Sequence, residues 1–256
     1  MLFVTGFKSF QRALHFFVKV IQYLQGIGTG STVGTSGERA VLVRLAAKRK
    51  GKFCVFDVGA NKGQFAIEVL SVLGGRADLH CFEPSPATFK ILEGGLQTSS
   101  NVHLNNEALG KETGNAKLYS NEIGSGLASL TRRNLDHFGV DFSMAEDVIV
   151  STVDTYCVAH GIDHIDLLKI DVEGHELDVL IGAKSMFMSN AIDCVTFEFG
   201  GCNIDTRTFF RDFFYFFTER NMAVFRITPS GYLMRIEKYS EICEQFRTTN
   251  FIAVRQ

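Results

Sequence analysis

From residue 38 onward, two patterns of apolar positions alternate along the chain. Short apolar runs at 53–58, 77–83, about 101–106, 165–171 and 192–199 predict strands. The run Phe53-Cys54-Val55-Phe56-Asp57-Val58 has the nearly unbroken character expected of a parallel strand covered on both faces. Between these runs, apolar residues recur every three or four positions at 38–49, 63–73, 86–97, 152–160, 175–187 and about 206–220, which predicts helices. The C-terminal part holds three further strand-like pieces, 222–228, 231–236 and 250–255, with a hairpin-like pair that suggests an antiparallel strand at the end. Alternation of this kind predicts a doubly wound α/β fold, a mainly parallel sheet with helices on both faces. The stretch 113–151 breaks the alternation with short β-like pieces and glycines, and is read as an insertion.

The first residues have a different pattern. Phe7, Phe10, Leu14, Phe17, Ile21 and Leu24 recur at helical spacing, while Lys8, Gln11, Arg12, His15, Lys19 and Gln22 occupy much of the other face. Four basic or titratable groups at that density rule out a spanning helix, and no small-residue cleavage site follows a clean apolar stretch, so a signal peptide is not expected. The segment 2–24 is predicted as an amphipathic helix that packs on the domain, on a second copy, or as a basic helix on a membrane surface. Residues 26–37, rich in glycine, serine and threonine, read as a linker. The expected division is therefore 1–35, helix and linker, and 36–256, the main domain.

Composition narrows this little. With 256 residues, 46% hydrophobic and 21% charged, the chain can bury a proper core. The net charge of −2 supplies no global field toward nucleic acid, so no nucleic-acid partner is expected. The six cysteines form no CxxC pair, and Cys54, Cys81 and Cys194 sit inside strand-like runs, as small core hydrophobes do. That usage fits a reducing compartment and a cytoplasmic location.

Candidate chemistry is expected at the strand ends, because open α/β sheets bind ligands beyond the carboxyl ends of their strands. After the first strand comes Asp57-Val58-Gly59-Ala60-Asn61-Lys62-Gly63. Gly59 suits a tight turn, Gly63 lets backbone approach a ligand, and Asp57 can accept from an amine or hold the turn. It matches neither GxGxxG nor a P-loop, which disfavours a pyrophosphate cradle. Glu83, at the end of the second strand, stands 20 residues past Gly63, where a carboxylate can accept from both hydroxyls of a ribose. After the third strand, Asn106 or Glu107 can bond an adenine edge while Ala108 and Leu109 offer an apolar surface. The fourth such end, Lys169-Ile170-Asp171-Val172-Glu173-Gly174-His175-Glu176, crowds carboxylates together, so either a pKa rises or a cation is near. His175 is the group whose ordinary pKa suits proton abstraction near neutrality. Glu198 interrupts an aromatic run at the next strand end and either faces the same cleft or caps a turn. Arg132, Arg133 and His137 are read as a solvated charged face, with an anionic acceptor site as the alternative.

Taken in order, these motifs resemble the FkbM family of methyltransferases. The resemblance rests on Phe56 to Gly63, Phe82-Glu83-Pro84, the Asn106 to Gly110 turn, and Lys169 to Glu176, with Gly126-Leu127-Ala128-Ser129-Leu130 and Ser36-Gly37-Glu38 as lesser matches. It covers about residues 36–199 and implies a class I methyltransferase (Rossmann-like) fold, a mainly parallel seven-stranded sheet whose last strand is antiparallel. It also implies S-adenosylmethionine as the cofactor and O-methylation of a small-molecule or glycan acceptor. The resemblance assigns Asp57, Gly59, Asn61, Gly63, Glu83, Asn106, Ala108 and Leu109 to the donor. It assigns Asp171, Glu173 and His175 to the acceptor, with His175 or Asp171 as base. A Mg²⁺ on Asp171 and Glu173 is the less favoured alternative, since a hard cation takes oxygen ligands, and no metal site is expected. Two rivals remain: a nicotinamide-dependent oxidoreductase, which would need the missing pyrophosphate turn, and a catalytically silent nucleoside-binding protein that engages a partner through its helix or insertion.

Overall fold

The computed structural model describes residues 5–30, 36–48, 50–96 and 100–256. Parts of several expected elements, residues 2–4 of the first helix, 31–35 of the linker, Arg49 and Gln97, lie outside the described residues.

An eight-stranded sheet forms the centre. Its strands are β1 (Phe53–Val58), β2 (Ala77–Phe82), β3 (Val102–Asn105), β7 (Ile165–Ile170), β8 (Ile192–Phe199), β9 (Met222–Ile227), β10 (Leu233–Arg235) and β11 (Thr249–Arg255). They lie in the order β10-β9-β11-β8-β7-β1-β2-β3. The five strands from β3 to β8 run parallel, and β11 inserts antiparallel between β8 and β9. The seven strands without β10 thus match the expected sheet with its antiparallel last strand. The piece read at 231–236 becomes β10, an eighth, antiparallel edge strand paired with β9.

Helices cover both faces. One face packs against α2 (Glu38–Lys48), α3 (Gln64–Leu73) and α4 (Pro86–Gly95), burying Leu42, Phe65, Val69 and Leu92 with Phe53, Val55 and Leu79 of the sheet. The other packs against α5 (Val153–His160), α6 (Glu176–Ile181), α7 (Lys184–Met188) and, past the short α8 (Cys202–Thr206), α9 (Phe210–Thr218), around Phe56, Leu168, Phe197, Phe210, Phe213 and Phe217. Much of the unusual phenylalanine content goes to this second layer, where Phe197 stacks on Phe213 at 5.0 Å.

One expected helix is split and another starts late. The 175–187 stretch breaks at Gly182, where a Cβ would stand 2.0 Å from the Gly110 carbonyl. The 206–220 stretch is continuously helical only from Phe210, past Arg207, which takes φ +57° and ends α8. The insertion folds as β5 (Gly114–Ser120) and β6 (Met144–Ser151), an antiparallel pair joined by β4 (Ala108–Leu109) into a second small sheet. Its long connection, 121–143, folds over the carboxyl ends of the parallel strands, contributing Ser125 to Leu130 and Leu135 to the cleft there. At the other terminus α1 (Lys8–Leu24) stands with no buried residue. Among the described residues no helix is long and apolar enough to cross a membrane.

Candidate active site

The parallel strands end together under a cavity of about 770 Å³, a size typical of small-molecule sites. Gly59, Asn61, Glu83, Ala108, Leu109, Asp171, Glu173 and His175 all line it, so the structure gathers most of the expected residues around one space. Asp57, Gly63 and Asn106 are placed elsewhere.

Asp57 lies one layer down. It is fully buried on the face of β1 shared by Phe53 and Val55, and it pairs with its cross-strand neighbour Lys169 at 3.0 Å. Lys169 also donates to the Gly59 carbonyl at 3.2 Å and faces Asp171 at 3.5 Å. Burial opposes charge on this lysine, but the carboxylates of Asp57, Asp171 and Glu38 outweigh it and hold its pKa above the usual value. The ammonium therefore ties the turn after β1 to the turn after β7. The two turns pass so closely that a Cβ on Gly59, at φ +79°, would sit 1.8 Å from the Asp171 carbonyl. Gly63 takes φ +87° at the start of α3 and packs toward Leu92 of α4 rather than toward the cavity. Asn106 spends its amide on the carbonyls of Glu83 and Pro84, at 2.9 and 3.0 Å, and so shapes the turn that presents Glu83.

Glu83 is 7% exposed. Its two oxygens accept the backbone N–H groups of Asn61, at 3.0 Å, and Ser85, at 2.9 Å. Burial pushes its pKa up to about 7 despite these bonds. Each oxygen keeps a lone pair for a further donor. Beside it, the Asn61 side-chain oxygen is buried without a hydrogen-bond partner among the described residues, on a residue at φ +49° that lines the same cavity.

The crowded turn after β7 resolves into distinct environments. Glu176 is fully buried and structural: it accepts from the N–H groups of Val172 and Gly174 at 3.3 and 2.9 Å and from the Asn203 amide at 3.2 Å. Glu173, at φ +53°, pairs with Arg133, and burial with the neighbouring Asp171 charge pushes it up to about 8. His175 holds Asp178 through Nδ1 at 2.7 Å and meets the Thr131 hydroxyl through Nε2 at 2.9 Å. That bond from His175 draws the Asp178 carboxyl below its usual range. Asp171 stays the most open of the set, with its side chain 43% exposed.

Arg133 corrects the sequence reading. Its side chain is 9% exposed and lies between Glu173 and Asp205, so it belongs to the site rather than to a solvated face. Ser129 donates to the Glu173 carbonyl at 2.8 Å, and Thr131 and Arg133 follow at alternate positions. An extended segment with one edge on the acidic turn has this period of two, and the pattern Ser-x-Thr-x-Arg was its only trace in the sequence. Glu198 also lines the cavity, and burial together with the charges of Asp171, Glu173 and Glu176 raises it well above the ordinary carboxyl range. Gly28, Gly30, Arg247 and Thr248 complete one rim, a contribution no motif announced.

Asp171 and Glu173, the pair that the Mg²⁺ alternative names, face the cations of Lys169 and Arg133. Two other groups of metal-ligating side chains among the described residues, Asp78 with His80 and His103, and His164 with Asp166 and Asp193, do not line the cavity.

The chain shares 29% identity over 139 residues with the 2-O-methyltransferase NoeI of Sinorhizobium fredii, a match covering 51% of this chain and 57% of that one. The chain thus spans little more than half the length of that relative. Among solved structures it resembles a SAM-dependent methyltransferase from Agrobacterium tumefaciens (TM-score 0.47, 8% identity, 88% of this chain and 63% of that one). It also resembles the plantazolicin methyltransferase BpumL in complex with SAH (TM-score 0.45, 7% identity, 98% and 92%). The methyltransferase FkbM domain matches residues 57–222, from Asp57 near the end of β1 to the first residue of β9, and on that match this chain belongs to the FkbM methyltransferase family.

Proposed function

We propose that this chain moves the methyl group of S-adenosylmethionine onto a hydroxyl of a small-molecule or glycan acceptor. The observation that carries the reading is one cavity lined by two chemically different groups: a buried carboxyl at Glu83, and an oriented imidazole at His175. The lining suits a cationic donor. Glu83, Asp171, Glu173 and Glu198 outnumber Arg133 and Arg247 in the lining, and a bound sulfonium and ammonium would draw the raised acids among them toward their ionised forms.

In this reading Glu83 accepts the ribose hydroxyls, the Asn61 oxygen accepts an N–H that its surroundings do not supply, and Ala108 and Leu109 give the ring an apolar wall. Asp171 is the exposed carboxylate placed to take the ammonium. The donor brings a methyl group already activated by its positive sulfur, which leaves the protein alignment and one proton to manage. Asp178 fixes the proton of His175 on Nδ1, so Nε2 carries the free lone pair. Nε2 now meets the Thr131 hydroxyl, and an acceptor hydroxyl in that position would give its proton to the imidazole. Arg133 keeps Glu173 from adding an unpaired charge beside this base.

Calorimetry with S-adenosylhomocysteine, and mass spectrometry for the gain of one methyl group over sugars, glycans and hydroxylated natural products, test the proposal. His175→Ala is expected to lower turnover about 10²- to 10⁴-fold, the usual worth of a positioned base, with S-adenosylhomocysteine affinity unchanged. Turnover that survives His175→Ala removes the base, and a chain that does not bind S-adenosylhomocysteine removes the reading altogether.

A further inference from the structure

The helix α1 exposes almost all of its surface, and its residues are sorted by chemistry around its axis. At 3.6 residues per turn, Gln11, Gln22, His15, Lys8, Lys19 and Arg12 fall within an arc of about 100°. The remaining arc of roughly 220° holds Phe7, Phe10, Leu14, Phe17, Ile21 and Leu24 in one half and Phe16, Val20 and Tyr23 in the other, with Ser9 its one polar residue. These aromatic and aliphatic side chains are 36–68% exposed. No acidic residue occurs before Glu38, although the chain as a whole carries −2.

We infer that α1 lies in the plane of an anionic lipid surface, its apolar arc among the acyl chains and its cations at the headgroups. Three features select this occupant. The cations share one arc with no acid beside them, which complements a negative surface. The apolar arc is about twice the width that a second helix covers in a paired seam, so a second copy would leave much of it in water. With its 17 residues and its charges the helix does not span a bilayer.

The attachment of the helix to the domain is firm and leaves that arc free. Gln22, on the polar arc, donates to Gln245 at 3.1 Å and accepts from Arg247 at 2.6 Å. Gly26 ends the helix at φ +84°, with its backbone so close to that of Ile227 that a Cβ would lie 2.4 Å from the carbonyl oxygen. Ile27 follows, buried to 3%. Gly28, Gly30 and Arg247 then line the cavity. The anchor therefore ends at the rim of the pocket. If the methyl-transfer reading holds, that rim faces hydroxyls carried by amphiphiles at the lipid surface.

The chain contains no tryptophan, so Phe17→Trp provides a single fluorescent reporter. With the full chain, the expected result is co-sedimentation with phosphatidylserine-containing vesicles and a blue shift of the Trp reporter. Binding should be about a hundredfold weaker for K8Q/R12Q/K19Q, roughly fivefold for each cation removed. It should be lost in F17E/I21E, with S-adenosylhomocysteine affinity unchanged, since neither residue lines the cavity. Failure to bind these vesicles, binding that survives F17E/I21E, or a dimer by light scattering that F17E/I21E abolishes in the absence of vesicle binding overturns the inference. None of these outcomes depends on whether methyl transfer occurs.

Discussion

Glu83 carries the most demanding part of the functional reading, and Glu83→Ala tests it. The carboxylate holds two backbone N–H groups and, in the proposed complex, would accept two ribose hydroxyls as well. A hydrogen bond to a charged group contributes about 1.5–3 kcal/mol. Taking the lower figure twice, truncation costs about 3 kcal/mol of donor binding, roughly a 150-fold rise in dissociation constant at 1.4 kcal/mol per decade. The fold should survive, because the cavity lets water replace the lost acceptor at Asn61 and Ser85. Titration calorimetry with S-adenosylhomocysteine and with 5′-methylthioadenosine measures the loss, and the 2′,3′-dideoxy form of the latter serves as control because it has no hydroxyls to donate. The raised pKa of about 7 adds a pH signature. The ionised form is the better acceptor, so wild-type affinity should climb as pH rises toward 7 and level off above it. Acidification below 7 should weaken binding by up to about tenfold per pH unit, and Glu83→Gln should remove this dependence. A folded Glu83→Ala chain that binds S-adenosylhomocysteine like the wild type, or that loses the dideoxy control equally, refutes the ribose assignment.

Other expectations follow from the same geometry. Arg133→Leu removes the cation that favours an ionised Glu173, whose side chain is 18% exposed, so at pH 9, where the wild-type carboxyl is charged, it should cost about 3 kcal/mol in urea unfolding and less at pH 6, with Glu173→Gln in the same chain recovering part of the loss; a loss below 0.5 kcal/mol at pH 9 would make the pair incidental. Gly59→Ala should yield little folded protein, since its Cβ would overlap the Asp171 carbonyl, whereas Gly75→Ala, with nothing within 4 Å, should melt like the wild type; equal melting temperatures would contradict the close crossing of the two turns. Glu83 and Glu173 have pKa values of about 7 and about 8 against an ordinary 4.5, so the native chain keeps protons that the unfolded chain releases. Their contribution is full below pH 4.5 and is lost as pH rises toward 8, so the melting temperature should fall between pH 5.5 and 8, more gently in Glu173→Gln. A rise over that window, or an unchanged slope in the variant, would show that these carboxyls do not titrate as their burial requires.

How far the sequence could be read depended on whether a residue's surroundings lie nearby along the chain. The strands β1, β7 and β8 were legible almost to the residue because burial on both faces makes each a largely apolar run with few polar positions. Glu83 was legible for a related reason: it is the first residue after a strand, and strand ends open on the ligand side of such a sheet. Asp57 shows how one residue changes the outcome. It is still inside β1, so the period-two alternation that buries Phe53 and Val55 also turns it onto the sheet face, against Lys169 of the adjacent strand. The alternation was readable; the lysine opposite was not, because it arrives 112 residues later and pairing order is not written in either strand. Arg133 failed for the same reason in stronger form. Its partners, Glu173 and Asp205, come from 40 and 72 residues away, and a charge looks solvated until the groups that neutralise it are known. Crowding of like charge was the better signal. Acids gathered at one strand end predicted either a raised pKa or a nearby cation, and the structure supplies both: Glu173 is pushed up to about 8, and Lys169 and Arg133 flank the turn. Local electrostatic cost could be read without knowing the partner, whereas the partner's identity had to wait for the fold. An unexplained excess of one charge at a strand end is therefore a sounder guide to a site than any single side chain within it.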